Sequence, residues 1–252
     1  MLIGATANAV RTSAVLVTTE GVVVRQVGGG PGMESLAALL AHLQAGADPL
    51  GIGIVLDDPL APETCTLPPT LQVATEIEAL TWGEVQFGIG RRCCDIAVVR
   101  AGREIEVGLV VDGRVLPQPG RLGHTSVDRT GRWPCRCGRT GCLQALVDAA
   151  TRGLVPPAPA LPRSLPSAPT AAHSYLALGL IHLVNIMNPA AIVLAGPLVD
   201  AAPDALSWLA HAARTASLAP SRAGLIEITG PHAGPLSTLV GAAAFAHRLT
   251  RE

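Results

Sequence analysis

The sequence predicts an α/β protein with a duplicated architecture, because one order of strands and helices occurs twice along the chain. Strand hairpins begin near residues 14 and 96, and each is followed by segments in which apolar residues recur at helical spacing. The 252 residues are 49% hydrophobic and 15% charged, so the chain can bury a large core and is not disordered. We therefore expect two α/β lobes with a cleft between them.

The first block begins with a hairpin, since two β-branched runs flank a turn at Gly21. Residues 28–32, Gly-Gly-Gly-Pro-Gly, predict a flexible turn and not a phosphate cradle, because no Lys-Ser/Thr pair follows them. Leucines at helical spacing predict a helix over Met33–Gln44. The remaining elements of this block are strands at Ile52–Leu56 and Leu71–Ala74, a Pro- and Thr-rich loop at 57–70, and a helix over 76–87.

The second block repeats the hairpin and adds a proline-rich segment. Valine-rich runs at 96–99 and 107–111 predict its strands. Six prolines between residues 152 and 169 predict a linker or surface excursion without a helix. Helices are predicted over 142–151, 171–187, 202–217 and 236–249, and strands over 191–194 and 225–228. We place the reduced N-terminal lobe in residues 1–88 plus about 235–252, and the C-terminal lobe, with the cysteine cluster and the proline-rich excursion, in 89–234.

The charge balance and the apolar segments exclude two classes of partner. Lys and Arg number 18 and Asp and Glu 19, and only 2% of residues are aromatic, which argues against a basic nucleic-acid face and base-stacking platforms. Polar residues interrupt the apolar segment 171–187, so it predicts a buried helix and not a membrane span. No secretion signal is visible at the N-terminus. We expect a cytoplasmic protein with no direct nucleic-acid partner and no membrane partner.

Three cysteines and one histidine form the strongest local pattern. Cys135, Cys137 and Cys142 are spaced by glycines that let the backbone curl, and His124 lies eleven residues upstream. Three thiolates and one imidazole complete a closed tetrahedral shell, which predicts a structural zinc ion. The alternatives are three free buried cysteines or a disulfide, and a reducing compartment disfavours the disulfide. The adjacent pair Cys93-Cys94 is predicted to be small buried residues.

Several segments together resemble the ROK family of repressors, open reading frames and sugar kinases. The specific ones are Leu109-Val-Val-Asp-Gly-Arg-Val, Gly120-Arg-Leu-Gly-His and Cys135-Arg-Cys-Gly-Arg-Thr-Gly-Cys-Leu-Gln, and supporting ones lie at 185–197 and 239–243. The resemblance implies an actin-like, two-lobed fold of the hexokinase and sugar kinase type, with a ribonuclease H-like duplicated core. It also implies ATP-dependent, magnesium-assisted phosphorylation of a sugar, which requires phosphate-cradling donors and a carboxylate base.

Both phosphate loops that the resemblance implies have changed residues here. The first loop, Asp-x-Gly-Gly-Thr in the family, reads Thr-Ala-Asn-Ala-Val, so the acid and both glycines are lost. The second loop is glycine-rich in the family, and here two carboxylates would repel phosphate unless Arg103 or a metal offsets them. The former phosphate-loop residues are Thr6, Asn8, Ala9, Gly102, Arg103, Glu104 and Glu106.

The residues that the resemblance assigns to catalysis and sugar binding are also altered. Thr75-Glu76 stands at the Asn-Asp pair that carries the catalytic acid, so a candidate base at Glu76 lies one methylene further out. Arg121 replaces the sugar-binding Glu that precedes Gly-His, and Gln144 replaces the one after the last cysteine. His124 is retained and is expected to serve the zinc. The ligand-site candidates are therefore Thr75, Glu76, Arg121 and Gln144.

These changes favour a catalytically degenerate ROK-type protein that senses a ligand or regulates a partner. By analogy with the family we expect a homodimer, and Arg121 suits a small anionic sugar-like ligand. The sequence begins directly with a strand region, so no helix-turn-helix and no direct DNA binding are expected, and ATP and magnesium binding is doubtful. Two alternatives stay open: a divergent ATP-dependent sugar kinase or other enzyme that uses Glu76 as base, and a structural partner subunit with a closed cleft.

Overall fold

A computed structural model describes residues 1–56, 71–158, 161–162, 164–218 and 226–248 of the chain. The predicted loop at 57–70, which contains Cys65, and the predicted element ends Leu225 and Leu249 lie outside the described residues. The chain divides into two units. Unit 1 comprises Met1–Arg92 and Pro231–Glu252, and unit 2 comprises Cys93–Gly230.

Unit 1 contains a five-stranded mixed sheet. Its strands are β1 (Leu2–Ala7), β2 (Thr12–Val17), β3 (Val23–Gly29), β4 (Ile52–Leu56) and β5 (Leu71–Ala74), and its helices are α1 (Met33–Gln44), α2 (Glu76–Gln86) and the C-terminal Ser237–His247. The sheet order is β3-β2-β1-β4-β5. Pairing is antiparallel from β1 to β2 and β2 to β3, and parallel from β1 to β4 and β4 to β5.

The two faces of this sheet follow the alternation of side chains along β1. Ile3 and Ala5 pack with Leu36 and Leu40 of α1 in one buried cluster. On the other face, the small-residue helix Ser237–His247 lies directly on the sheet backbone. A Cβ atom added at Gly4 would lie 1.8 Å from the carbonyl oxygen of Leu239, so close packing explains why this helix is rich in Gly and Ala.

Unit 2 repeats the same sheet. Its strands are β6 (Ile96–Ala101), β7 (Ile105–Val111), β8 (Arg114–Val115), β9 (Ala191–Ala195) and β10 (Glu227–Thr229). The order β8-β7-β6-β9-β10 matches that of unit 1, with β6 paired antiparallel to β7 and parallel to β9. The helices of unit 2 are α3 (Leu143–Thr151), α4 (Ala171–Met187), α5 (Pro197–Asp200) and α6 (Ala205–Ala216). The C-terminal helix Ser237–His247 of unit 1 is α7. The predicted duplication is therefore confirmed.

Four sequence predictions need correction. Gly28 and Gly29 belong to β3, because β2 pairs with their backbone, so the glycine-rich turn is shorter than predicted. The predicted turn at Gly196-Pro197 instead begins the short helix α5, with proline in its first turn. Of the adjacent cysteines predicted to be buried, Cys94 is exposed and Cys93 is half-buried. The helix predicted over 202–217 begins only at Ala205.

The proline-rich segment is not a free linker in its described part. No helix or strand forms in residues 152–158 or 164–169, as predicted. Val155 and Ala158 are nevertheless buried in the core cluster of unit 2, and the Ala158 N–H donates to the Ser174 hydroxyl at 2.7 Å. The Trp208 indole N–H donates to the Pro166 carbonyl at 3.0 Å. The segment therefore contributes to the core without regular structure, because side-chain partners satisfy its backbone.

Helix α4 is the apolar segment that the sequence predicted to be buried. Leu176 and Leu180 are fully buried in the unit 2 core, and its N-cap residue Thr170 accepts from the His173 N–H. Asn188 ends it in the left-handed conformation, with φ of 48°. Among the helices described, none combines the length and apolarity that a membrane span requires.

Candidate functional site

The predicted His–Cys₃ pattern forms a compact cluster in unit 2. His124 ends the short 3-10 turn Leu122–His124, and Cys142 is the N-cap residue of α3. The ligand atoms of His124, Cys135, Cys137 and Cys142 all lie within 4.8 Å of one another. The Sγ atoms of Cys137 and Cys142 are 3.7 Å apart, and Cys135 Sγ is 3.5 Å from His124 Nδ1. We call these four residues the His–Cys₃ cluster.

Two glycines shape the loop that carries the cysteines. Gly138 and Gly141 have φ values of 85° and 72°, which L-residues with a Cβ atom rarely adopt. A Cβ atom at Gly141 would also lie 1.8 Å from the Asp128 carbonyl oxygen. The prediction that these glycines let the backbone curl is confirmed, because Cys135 N donates to Arg139 O at 2.7 Å across the curled loop.

The cluster fits a four-coordinate metal ion. Metal–sulfur bonds of about 2.3 Å and metal–nitrogen bonds of about 2.05 Å give tetrahedral edges of about 3.8 Å between sulfurs and about 3.6 Å between sulfur and nitrogen. The observed 3.7 Å and 3.5 Å match these edges. The backbone N–H of Arg139 lowers the pKa of Cys137 to about 7, whereas burial raises the pKa of Cys142 to about 12. A bound cation would offset that burial cost by stabilising both thiolates.

Next to the cluster, the hairpin between β6 and β7 carries the altered second phosphate loop. Gly102-Arg103-Glu104 forms a tight turn, and Glu106 lies within β7 instead of in a loop. The guanidinium of Arg121 donates to Glu104 Oε2 at 2.7 Å and is 3.4 Å from Glu106 Oε1. Arg121 therefore supplies a positive charge beside these carboxylates, in addition to Arg103 of the turn itself, which was named from the sequence.

A second arginine reaches the same hairpin from the cysteine loop. The Arg136 side chain donates to the Arg103 carbonyl oxygen, and its Nε is 3.8 Å from Glu104 Oε1. Arg136 lies between the two cluster residues Cys135 and Cys137. No sequence motif pointed to a role for Arg136. For the neighbouring pair, the sequence offered a signal in two changes from the ROK pattern, since Glu becomes Arg121 and the glycine-rich loop gains Glu104.

Gln144 has a structural position in the fold. It is 1% exposed, its Oε1 accepts from Ile105 N at 2.7 Å, and its Nε2 donates to Asp148 Oδ1 at 2.8 Å. Both ends of the amide are therefore engaged within unit 2. Its expected contact with a ligand gains no support from this geometry, because the side chain anchors the start of β7 to α3.

The altered first phosphate loop forms a closed turn in unit 1. Thr6 lies in β1, next to its last residue, and Asn8 and Ala9 lie in the turn that leads to β2. The Asn8 Oδ1 atom accepts from Val10 N at 2.9 Å and from Arg11 N at 2.8 Å. The backbone donors that would face a phosphate in such a loop are thus bonded to the protein's own side chain.

Thr75 and Glu76 lie at the N-terminus of α2 in unit 1. Thr75 is the N-cap residue and forms a capping box with Glu78, whose carboxylate accepts from Thr75 N at 2.8 Å. Glu76 is half-buried in the first helical turn, where the helix dipole favours a carboxylate. Thr75 therefore stabilises the helix end next to the candidate base.

Further along α2, Glu84 is a buried carboxylate. Glu84 is 3% exposed; its Oε1 accepts from His232 N at 2.7 Å and its Oε2 accepts from Ile89 N at 3.2 Å. Residues 88–92 and 231–234 are the unit 1 ends of the two chain connections to unit 2. Gly88 is required beside it, because an added Cβ would lie 2.0 Å from Glu84 Oε2. One carboxylate thus fixes both segments.

Comparison with known proteins gives the class of fold first. The ROK hexokinase of Thermus thermophilus superposes with a TM-score of 0.71 over 99% of both chains at 21% sequence identity, which shows the fold. The fold is therefore that of the ROK sugar kinases, an actin-like ATPase fold, as predicted.

Sequence comparison finds local similarity to the ROK family. The ROK family model matches residues 64–156. The chain is 34% identical to the glucokinase of Halalkalibacterium halodurans over 98 residues, which are 37% of this chain and 29% of that protein. It is 32% identical to the N-acetylmannosamine kinase of Shigella boydii over 146 residues, 48% of each protein. The matches thus span less than half the length of these relatives. The predicted resemblance to the ROK family is confirmed.

Proposed function

We propose that this chain is a ligand-binding, regulatory ROK-type protein that holds a structural zinc ion and does not phosphorylate sugars by the mechanism the resemblance implies. The observation that carries the proposal is the ion pair of Arg121 with Glu104 and Glu106. In the ROK pattern the same positions are a sugar-binding Glu and phosphate-loop glycines. Here two carboxylates occupy positions of that glycine-rich loop, and they pair with the protein's own arginine.

Electrostatics supports this proposal for both loops. The terminal phosphates of ATP carry several negative charges, and carboxylates at hydrogen-bonding distance oppose them strongly where water is scarce. In the first loop, the N–H groups of Val10 and Arg11 already donate to Asn8. Phosphate binding there would have to break these bonds without the close backbone approach that glycine allows. Both changes act against nucleotide binding.

The donor set of the His–Cys₃ cluster supports zinc as its metal. Three thiolates with one imidazole are typical of closed structural zinc sites, which have no open position for a water or substrate. The cluster joins the segments around residues 124, 135–137 and 142, so zinc would stabilise this part of unit 2. We propose no catalytic role for the metal.

The ligand class follows from the charges around the hairpin. The hairpin and its neighbours carry a net charge of +1, from three arginines (Arg103, Arg121 and Arg136) and two glutamates (Glu104 and Glu106). The Arg121 side chain is 60% exposed and has donors beyond those that meet the two carboxylates. A singly or doubly charged sugar acid or phosphosugar therefore suits this site better than a nucleotide. By analogy with the family, we propose that the protein acts as a homodimer.

Phosphorylation of glucose and of N-acetylmannosamine by magnesium–ATP tests the proposal. These sugars are chosen because the relatives are named glucokinase and N-acetylmannosamine kinase. We expect turnover below about 10⁻³ s⁻¹, whereas a median enzyme reaches about 10 s⁻¹. Turnover near 1 s⁻¹ that Glu76→Gln abolishes would instead establish the second candidate, a divergent kinase. The position of Glu76 in the first turn of α2 favours that candidate.

Thermal unfolding tests the ligand class. Glucose 6-phosphate and gluconate at 10 mM should each raise the unfolding temperature by about 2–4 °C, whereas glucose should not. Arg121→Ala should remove at least half of this shift. Arg114→Ala is the matched control, since Arg114 is an exposed arginine of β8, and it should leave the shift unchanged. Equal shifts in both variants would exclude Arg121 from the site, and no shift with any anion would favour a structural partner subunit.

A further inference from the structure

Each segment that carries a residue of the His–Cys₃ cluster also sends a side chain to the hairpin residues 103–106. Arg121, three residues before His124, bonds Glu104 and Glu106. Arg136, between Cys135 and Cys137, bonds the Arg103 carbonyl and faces Glu104. Gln144, two residues after Cys142, accepts from Ile105 N. We call residues 103–106 the ligand-site turn.

We propose that metal binding at the His–Cys₃ cluster holds the ligand-site turn in place, and that Arg136 is the positioning residue that links the two. This inference rests on the proposed zinc site and ligand site, and it adds a regulatory connection between them. The ion joins three separate segments at one point, so the backbone on both sides of Arg136 is fixed when metal is bound. The guanidinium then meets the Arg103 carbonyl and Glu104 at little further entropic cost.

The same contacts work in the opposite direction. Coupling between two sites is reciprocal, so an anion that binds at the turn raises the affinity for zinc by the factor by which zinc raises the affinity for the anion. Gln144 contributes a second connection, but its amide is buried and also bonds Asp148, so changing it would disturb α3. Arg136 is exposed, with 39% of its side chain accessible, and can be changed without opening the core.

Hydrogen exchange measured by mass spectrometry on the full chain tests this connection. The readout is the exchange rate of peptides that cover residues 101–107, compared with peptides from β9 (Ala191–Ala195) as an internal reference. The samples are zinc-loaded and chelator-treated protein, as wild type, Arg136→Ala and the matched control Arg132→Ala, an exposed arginine of the same loop. Zinc content is measured on every sample.

In wild type, zinc removal should speed exchange at 101–107 by about tenfold or more while β9 stays protected. In zinc-loaded Arg136→Ala, exchange at 101–107 should rise about fivefold, the factor expected for an exposed charge-assisted contact. Arg132→Ala should match wild type. If zinc removal also speeds exchange in β9, it unfolds more than the ligand-site turn, and the test then depends on the comparison of zinc-loaded wild type with the zinc-loaded variants. Unchanged exchange at 101–107 in zinc-loaded Arg136→Ala would overturn the connection.

The failure of the underlying proposals looks different in the same samples. If the protein retains no zinc after loading and residues 101–107 are nevertheless fully protected from exchange, the proposed metal site is wrong. If the protein binds zinc fully but exchange at 101–107 changes neither on zinc removal nor in Arg136→Ala, only the proposed connection is wrong. Sugar phosphorylation, measured separately, addresses the proposed function and does not enter this test.

Discussion

Replacing Cys137 with Ser should strip the metal from the protein and unfold the segment 120–150. Structural zinc sites in small domains bind with about 10–16 kcal/mol, and a hydroxyl does not replace a thiolate ligand. Between the 3-10 turn Leu122–His124 and the start of α3 at Leu143, the described chain forms only turns and isolated bridges such as Pro134 with Thr140. Elemental analysis should give about one zinc per wild-type chain and near zero for the variant.

Limited proteolysis locates the effect of this variant. Cleavage should appear within 120–150, at sites that resist the protease in wild type, and a chelator should reproduce the same pattern. Cys94→Ser is the matched control, since Cys94 is exposed and lies outside the cluster, and it should retain zinc and resistance. A wild-type protein that is free of metal and fully resistant to cleavage in this segment contradicts the zinc site.

Replacing Glu84 with Ala should lower the free energy of unfolding by about 3 kcal/mol. The change leaves the buried N–H group of Ile89 without its acceptor, which costs about 1–3 kcal/mol, and the lost bond from the more exposed His232 adds a smaller cost. Thermal denaturation followed by circular dichroism should show a midpoint about 10 °C lower. Hydrogen exchange should rise at 88–92 and 231–234 before it rises in β1, because the carboxylate fixes those two segments.

Two variants separate this role from the general cost of mutating a helix. Glu84→Gln keeps one acceptor but points amide hydrogens at a donor, so its loss should be intermediate, about 1–2 kcal/mol. Glu34→Ala changes an exposed carboxylate in the first turn of α1 and should stay within about 0.5 kcal/mol of wild type. Equal stability of Glu84→Ala and wild type would mean that the two bonds contribute nothing.

Patterns of short range predicted much of the fold. The leucine spacing defined α1 to the residue, and the apolar run at 171–187 defined α4 in the same way. Both elements are helices, and the helical repeat of 3.6 residues depends only on neighbours along the chain. Helix ends were less accurate where a cap decides them, as at Ala205, because the turn before this helix depends on tertiary contacts.

The candidate site was predictable where its spacing is local and not where partners are distant. The four residues of the His–Cys₃ cluster lie within nineteen positions of one another, and glycines mark the curl between them. The bonds of Arg121 with Glu104, and of Glu84 with His232, join positions 17 and 148 residues apart. No periodicity connects such positions, so no pattern assigned these partners.

The amino-acid order alone determined the two repeated α/β blocks, the metal-binding pattern and the loss of the glycines that a phosphate needs. Tertiary structure alone decided the contacts of particular residues: Arg121 pairs with Glu104 and Glu106, Gln144 anchors β7, and Glu84 ties two distant segments to α2. The physical reason is that backbone conformation responds mainly to local sequence. The partner of a charge is chosen by which side chains the folded sheets bring within a few ångströms of it.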